Sequence, residues 1–264
     1  MLRVLQETNE FLESSFRELE KLIPAPEQVV YGDGHALRYK EKRLEIAIVQ
    51  KLARYISGLN AAFDLLGKGY TQEIGALFRM LDEFGEDITF LALPAMRNVP
   101  TTKTHNEYLD CFFQEEFDNE SNAILSSQNR PTVSRRKIWA EIANAGLAGL
   151  NPSDHLEVLR TISQAYSGYV HGTSCHIIEM IVGPDFQYRL SGMPNTYRQR
   201  EFLYNFWDYS YRGIVCTNFA AKALGSASVD ERTKQYLDYF ESATGDTGKG
   251  DPEALMRKAK KKNA

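Results

Sequence analysis

Apolar residues recur at steps of three and four through nearly the whole chain, and this period commits it to helices. The longest stripe runs through Leu44, Ala47, Ile48, Leu52, Tyr55, Ile56, Leu59 and Phe63, in a segment from about 38 to 66 that contains no proline and closes at Gly67-Lys68-Gly69. Side chains so spaced share one helix face, which must be buried against other helices. This segment therefore reads as the central helix of a bundle. An earlier stripe, Leu5, Leu12, Phe16, Leu19 and Leu22, is stopped by Pro24 and Pro26, and a loop containing Gly32-Asp33-Gly34 joins the two.

Downstream, Thr71 reads as the N-cap of a helix to about residue 93, closed by Pro94 and Pro100. Further helices are expected over 104–119, from Ser134 to 145, from 153 through 182 after Asn151-Pro152, and near 197–224 and 229–242. The polar stretch 120–131 is a connection, and Phe186 to Leu190 alternates enough for a short strand. The chain is thus expected to be all-α: one bundle of about seven or eight helices, with at most a short strand or hairpin near 186–190. No repeat at a solenoid period is present. The segments flanking 120–131 are too short for separate cores, so the bundle is placed at 1–245. Residues 246–264, within and beyond the Gly-rich run 245–250, are expected to form a flexible basic tail.

Charge divides along the same line. The net charge is −4, but the last fourteen residues carry +3, which leaves −7 on the first 250. An acidic body argues against coating nucleic acid, so any RNA contact is confined to a few arginines in a cleft or to the tail. Cys111, Cys175 and Cys216 are widely spaced and form neither a disulfide framework nor a four-thiolate zinc site, which fits a reducing cytoplasm. No uncharged apolar run approaches membrane-spanning length and no signal core follows Met1, so no membrane segment is expected. The phosphate-binding, dinucleotide-binding and zinc-protease motifs are absent. No cofactor and no metal are expected.

Two helices carry the candidate chemistry. Stepping about 100° per residue along 153–182 places Arg160, Gln164, Ser167, His171, Ser174 and Cys175 on one polar stripe. On the helix from Thr71, Arg79 and Glu83 are four apart, with Asp82 and Glu86 nearby, Gly75 or Ala76 leaving room, and Leu77, Leu81, Phe84 and Ile88 opposite. A guanidinium fixed by a carboxylate presents its fork to a phosphate. The same spacing also describes an exposed salt bridge, and the polar stripe a solvated face. His171 with Cys175 and His176 with Glu179 have metal-ligand spacing, but they point to different sides of one helix and cannot converge. The aromatic run Phe202, Tyr204, Phe206, Trp207, Tyr209 and Tyr211 reads as core packing or a face for self-association.

The combination of Phe78-Arg79-x-x-x-Glu83 with Tyr166-Ser167-Gly168-Tyr169-Val170-His171-Gly172 resembles a family of all-helical bacterial proteins similar to the HEPN (higher eukaryote and prokaryote nucleotide-binding) superfamily. The resemblance covers about residues 40–220. It implies a helical bundle that forms homo-oligomers, commonly dimers, and metal-independent RNA cleavage in toxin or phage-defence systems. The usual HEPN motif is an arginine with four to six residues between it and a histidine, and none of the five histidines here has one. Arg160 precedes His171 by eleven residues, about 16 Å along a continuous helix. The resemblance then implies His171 as general acid or base and Arg79, oriented by Glu83, as phosphate stabiliser, with Ser167 positioning a phosphate oxygen or the imidazole. Two other readings stand beside it. One is a non-catalytic interaction module in which Arg79, Glu83 and His171 fix helix register. The other is a bundle that binds a nucleotide or small molecule between the two helices.

Overall fold

The long stripe after residue 40 forms a helix of 25 residues, α2 (Leu44–Lys68), capped by Gly69 in the left-handed conformation at φ 72°. The computed structural model describes residues 1–119, 122–127 and 131–245. Before α2 come α1 (Leu2–Glu20) and an antiparallel hairpin of β1 (Glu27–Tyr31) and β2 (Gly34–Arg38). After it come α3 (Thr71–Arg97), α4 (Lys103–Phe112), α5 (Arg135–Ala145), α6 (Pro152–Ala165), α7 (Ser167–His171), α8 (Ser174–Ile177), α9 (Tyr197–Ala223) and α10 (Ala227–Thr244). The molecule is an all-α bundle with one small hairpin, and among the described residues no helix is long and apolar enough to cross a membrane.

The centre of the bundle is α3 rather than α2. It packs against α2, α5, α6, α7 and α9, and its buried residues include Ile74, Phe78, Leu81, Ile88, Phe90 and Leu91. α2 packs mainly on α1, α3 and α9, and α10 closes the far side against α1 and α9. The aromatic run on α9 turns inward: Phe202, Phe206, Trp207 and Tyr209 are buried, and Tyr209 stacks on Phe78 at 4.0 Å. Tyr204 is the exposed exception among them. This run builds core.

Several boundaries differ from the sequence reading for identifiable reasons. The segment around Gly32-Asp33-Gly34 is the turn of the hairpin, whereas 186–190 holds only an isolated bridge, Ile181 to Tyr188. Tyr70 takes the N-cap position and Thr71 is the first helical residue. α4 stops at Phe112, short of 119. The expected helix 153–182 is broken at Tyr166, at Gly172 and again before the 3₁₀ turn Ile178–Met180. The tail at 246–264 and part of the connection at 120–131 lie outside the described residues.

Pro94 does not close its helix; it sits inside α3, which ends at Asn98 in the left-handed conformation. Proline has no N–H, so the carbonyl four residues earlier loses its helical donor. That carbonyl belongs to Phe90, and His105 Nε2–H donates to it at 3.0 Å from α4. The other ring nitrogen, Nδ1, accepts from the Thr102 backbone N–H at 3.2 Å, and the ring stacks on Phe90 at 4.1 Å. Burial holds the His105 pKa below its ordinary value. The unfolded chain therefore binds the proton more readily, and the stability from this residue is lost as pH falls below about 6.5. His105→Phe keeps the stack and loses both hydrogen bonds; denaturant unfolding at pH 7 is expected to show a loss of about 1–3 kcal/mol.

Candidate functional site

The two motif-bearing segments do meet. A Cβ at Gly75 would lie 2.5 Å from the Tyr169 ring, so only glycine lets α7 rest this closely on α3. Tyr166 packs edge-on to Phe78, and Tyr169 donates its hydroxyl to Glu179 at 2.6 Å. Gly172, at φ 62°, ends α7 and reverses the chain. The aromatic anchors and glycines of Tyr166–Gly172 thus serve a short helix that docks on α3 and turns back.

Arg79 and Glu83 form an ion pair at 2.7 Å, with side chains 18% and 42% exposed. This is a partly sunken pair rather than an open surface bridge, and Arg79 Nη1 is buried without a hydrogen-bond partner. Val170 joins Arg79, Glu83 and Met80 around a mostly apolar groove of about 680 Å³. Ser167 is half-buried at the start of α7, and His171 is exposed at its end. Among the described residues no hydrogen bond or ion pair joins Ser167 or His171 to Arg79 or Glu83. The single polar stripe of the sequence reading disappears with the helix break: Arg160 on α6 pairs with Glu157 at 2.6 Å, and Cys175 Sγ lies 3.2 Å from His176 Nδ1. No group of three His, Cys, Asp or Glu side chains among the described residues is arranged to hold a metal ion.

The denser polar cluster lies further along α3, where Asp82, Glu86 and Asp87 are all buried. Asp82 Oδ1 accepts from Arg212 Nη2 at 2.7 Å and from the Tyr209 hydroxyl at 2.9 Å. Asp87 accepts from Arg135 at 2.5 Å, from Lys51 at 2.7 Å and from the Tyr108 hydroxyl at 2.7 Å. These partners come from α2, α4, α5 and α9, so four helices are tied to α3 through two carboxylates. Glu86 has no cation of its own: its Oε2 shares Arg135 at 3.3 Å, and its Oε1 is buried with no hydrogen-bond partner. The Trp139 indole N–H also faces this carboxyl without closing a hydrogen bond. Burial raises the Glu86 pKa to about 7, opposed by the Trp139 indole and Arg135 and reinforced by the charge of Asp82.

Glu86 lines a pocket of about 440 Å³ between α3, α5, α6 and α9. Its walls include Ile142, Leu159, Ile162, Val215 and Phe219, and its polar members include Thr89, His155 and Arg212. His155 is buried, its Nδ1 has no partner, and burial lowers its pKa, which keeps the imidazole neutral at pH 7. Cys216 also reaches the pocket, but burial pushes its thiol up to about 12, so it is no nucleophile. A largely apolar pocket with a few polar residues in its lining is the usual form of a small-molecule site. Asp82 and Glu86 are visible in the sequence beside Arg79. Their partners Arg135 and Arg212 and the facing His155 are not, because they come from helices far along the chain.

No protein-family model, curated protein or solved structure matches this chain.

Because the folded state holds the Glu86 proton more tightly than the unfolded chain, this residue's contribution to stability falls as pH rises from about 4.5 to about 7. Glu86→Gln removes that dependence. Thermal melts of both proteins from pH 5 to pH 8 are expected to give a variant that gains on the native protein steadily with rising pH and melts higher at pH 8.

Proposed function

We propose that the protein is a small-molecule-binding helical bundle whose site is the pocket between α3, α5, α6 and α9, with the arginine–carboxylate network holding the surrounding helices in place. The observation that carries this reading is a largely apolar pocket whose lining includes two buried ionisable residues, Glu86 and His155. A cavity of about 440 Å³ lies within the range of small-molecule sites. Ala148 is half-buried in the wall, where a larger side chain takes up pocket space. Saturation-transfer NMR with a panel of neutral cyclic alcohols is expected to show saturable binding to the native protein and none to Ala148→Phe at equal melting temperature. Binding to neither, or equally to both, contradicts this reading.

A second reading rests on α7. Val170, next to His171 in sequence, lines a groove with Arg79 and Glu83. In this reading the chain is a HEPN-like protein of a toxin or phage-defence type that self-associates and cleaves RNA without metal. His171 exchanges the proton at the 2′-hydroxyl or leaving oxygen, Arg79 held by Glu83 stabilises the phosphorane, and Ser167 orients a phosphate oxygen. RNA cleavage by the purified protein in EDTA, lost in His171→Ala, supports it; no cleavage, or cleavage unchanged in that variant, removes it.

A further inference from the structure

We propose that Cys175 is a reactive thiol that a small hydroperoxide oxidises to the sulfenic acid, with His176 carrying the proton and Thr173 donating a hydrogen bond to the departing oxygen. These residues stand outside the lining of the pocket between α3, α5, α6 and α9. Three polar atoms converge here. His176 Nδ1 lies 2.8 Å from Thr173 Oγ1 and 3.2 Å from Cys175 Sγ, and Thr173 Oγ1 lies 3.3 Å from Cys175 Sγ. Cys175 and Thr173 are exposed and His176 is half-buried, so the thiol is open to solvent beside a base within hydrogen-bond reach. Cys216 is buried and Cys111 half-buried, which leaves Cys175 as the accessible thiol of the three.

The base is held from several sides. Gly168 is buried on α7, and a Cβ there would overlap both His176 Nδ1 and Thr173 Oγ1, so only glycine admits the pair. The Tyr169 ring meets the imidazole edge-on at 4.3 Å, and its hydroxyl is anchored on Glu179 at 2.6 Å. From α3, Gln72 Nε2 donates to the His176 carbonyl at 2.8 Å. In the tautomer protonated at Nε2, Nδ1 has one lone pair for the thiol proton, which reaches it directly or through the Thr173 hydroxyl.

Proton balance selects the co-reactant. Sγ attacks one peroxide oxygen; the S–O bond forms, the O–O bond breaks, the sulfur is oxidised and the peroxide is reduced to water or an alcohol. His176 takes the thiol proton and returns it to the departing oxygen, so that a thiol and a hydroperoxide give a sulfenic acid and water or an alcohol. Hydroxide and alkoxide leave poorly without that proton, whereas a halide leaves without one. Exposure of Cys175 suits a small, water-borne co-reactant.

The full chain is treated with hydrogen peroxide at pH 7 in the presence of dimedone, and labelling of Cys175 is followed by peptide mass spectrometry. A synthetic peptide of residues 172–180 gives the rate without the fold. Native Cys175 is expected to react about tenfold faster than the peptide, or more. His176→Asn keeps a hydrogen-bond acceptor but cannot take the proton, and its rate is expected to fall to that of the peptide. Thr173→Val is expected to slow the reaction several-fold and Thr173→Ser, which keeps the hydroxyl, to restore it. Iodoacetamide, whose iodide leaves without a proton, is the comparison reagent: its gain over the peptide is expected to be smaller, and unchanged in Thr173→Val. If native Cys175 reacts no faster than the peptide, or His176→Asn reacts as fast as the native protein, the assignment of a reactive thiol falls. Equal gains for the two reagents overturn the hydroperoxide as co-reactant, and equal slowing in Thr173→Val and Thr173→Ser overturns the role of the hydroxyl.

Discussion

Everything in this bundle is arranged around the burial of three carboxylates on one helix. Desolvating a carboxylate costs several kcal/mol, and the fold recovers that cost only where a cation and further donors arrive with good geometry. Asp87 receives Arg135, Lys51 and Tyr108, and Asp82 receives Arg212 and Tyr209. Each donor sits on a different helix from its acceptor, so satisfying the charges also fixes where α2, α4, α5 and α9 lie against α3. Apolar packing of Phe78, Leu81 and Ile88 drives the association, and the ion pairs select which association is acceptable.

Glu86 is where this scheme is least complete, although Asp82 Oδ2 is also buried without a partner. It is buried, as its neighbours are, yet is left with one long contact to a shared arginine. Glu86 and His155 both line one pocket, and the rest of its lining is largely aliphatic and aromatic. A site that binds through a few polar atoms in an apolar enclosure gains specificity from those atoms and affinity from the enclosure. The stability of the scaffold and the incomplete pairing of Glu86 are two outcomes of one charge distribution.

Local signals carried far in the sequence, and remote ones did not. The helices α2, α5, α9 and α10 followed from period, from Ser134 and from Gly69, because spacing and capping act within a few residues. The run through Pro94 was misread because His105, which takes over the orphaned Phe90 carbonyl, comes from the next helix. The break at Tyr166 follows from aromatic contacts with Phe78 and Tyr209 on two other helices. In the candidate site the ion pair of Arg79 and Glu83 was legible as an i,i+4 pair, as was the room that Gly75 leaves. The pairing of Asp87 with Lys51 and Arg135 was not, because nothing in the spacing of α3 says which cations return to it.

The central claim is that Glu86 is a buried carboxyl without a counter-ion of its own. Carbon-detected NMR titration of its side-chain carboxyl, assigned with Glu86→Gln, measures this directly. The expected midpoint is about 7. A Glu86 midpoint in the ordinary range near 4.5 contradicts the claim, because it means that the carboxylate is already solvated or paired.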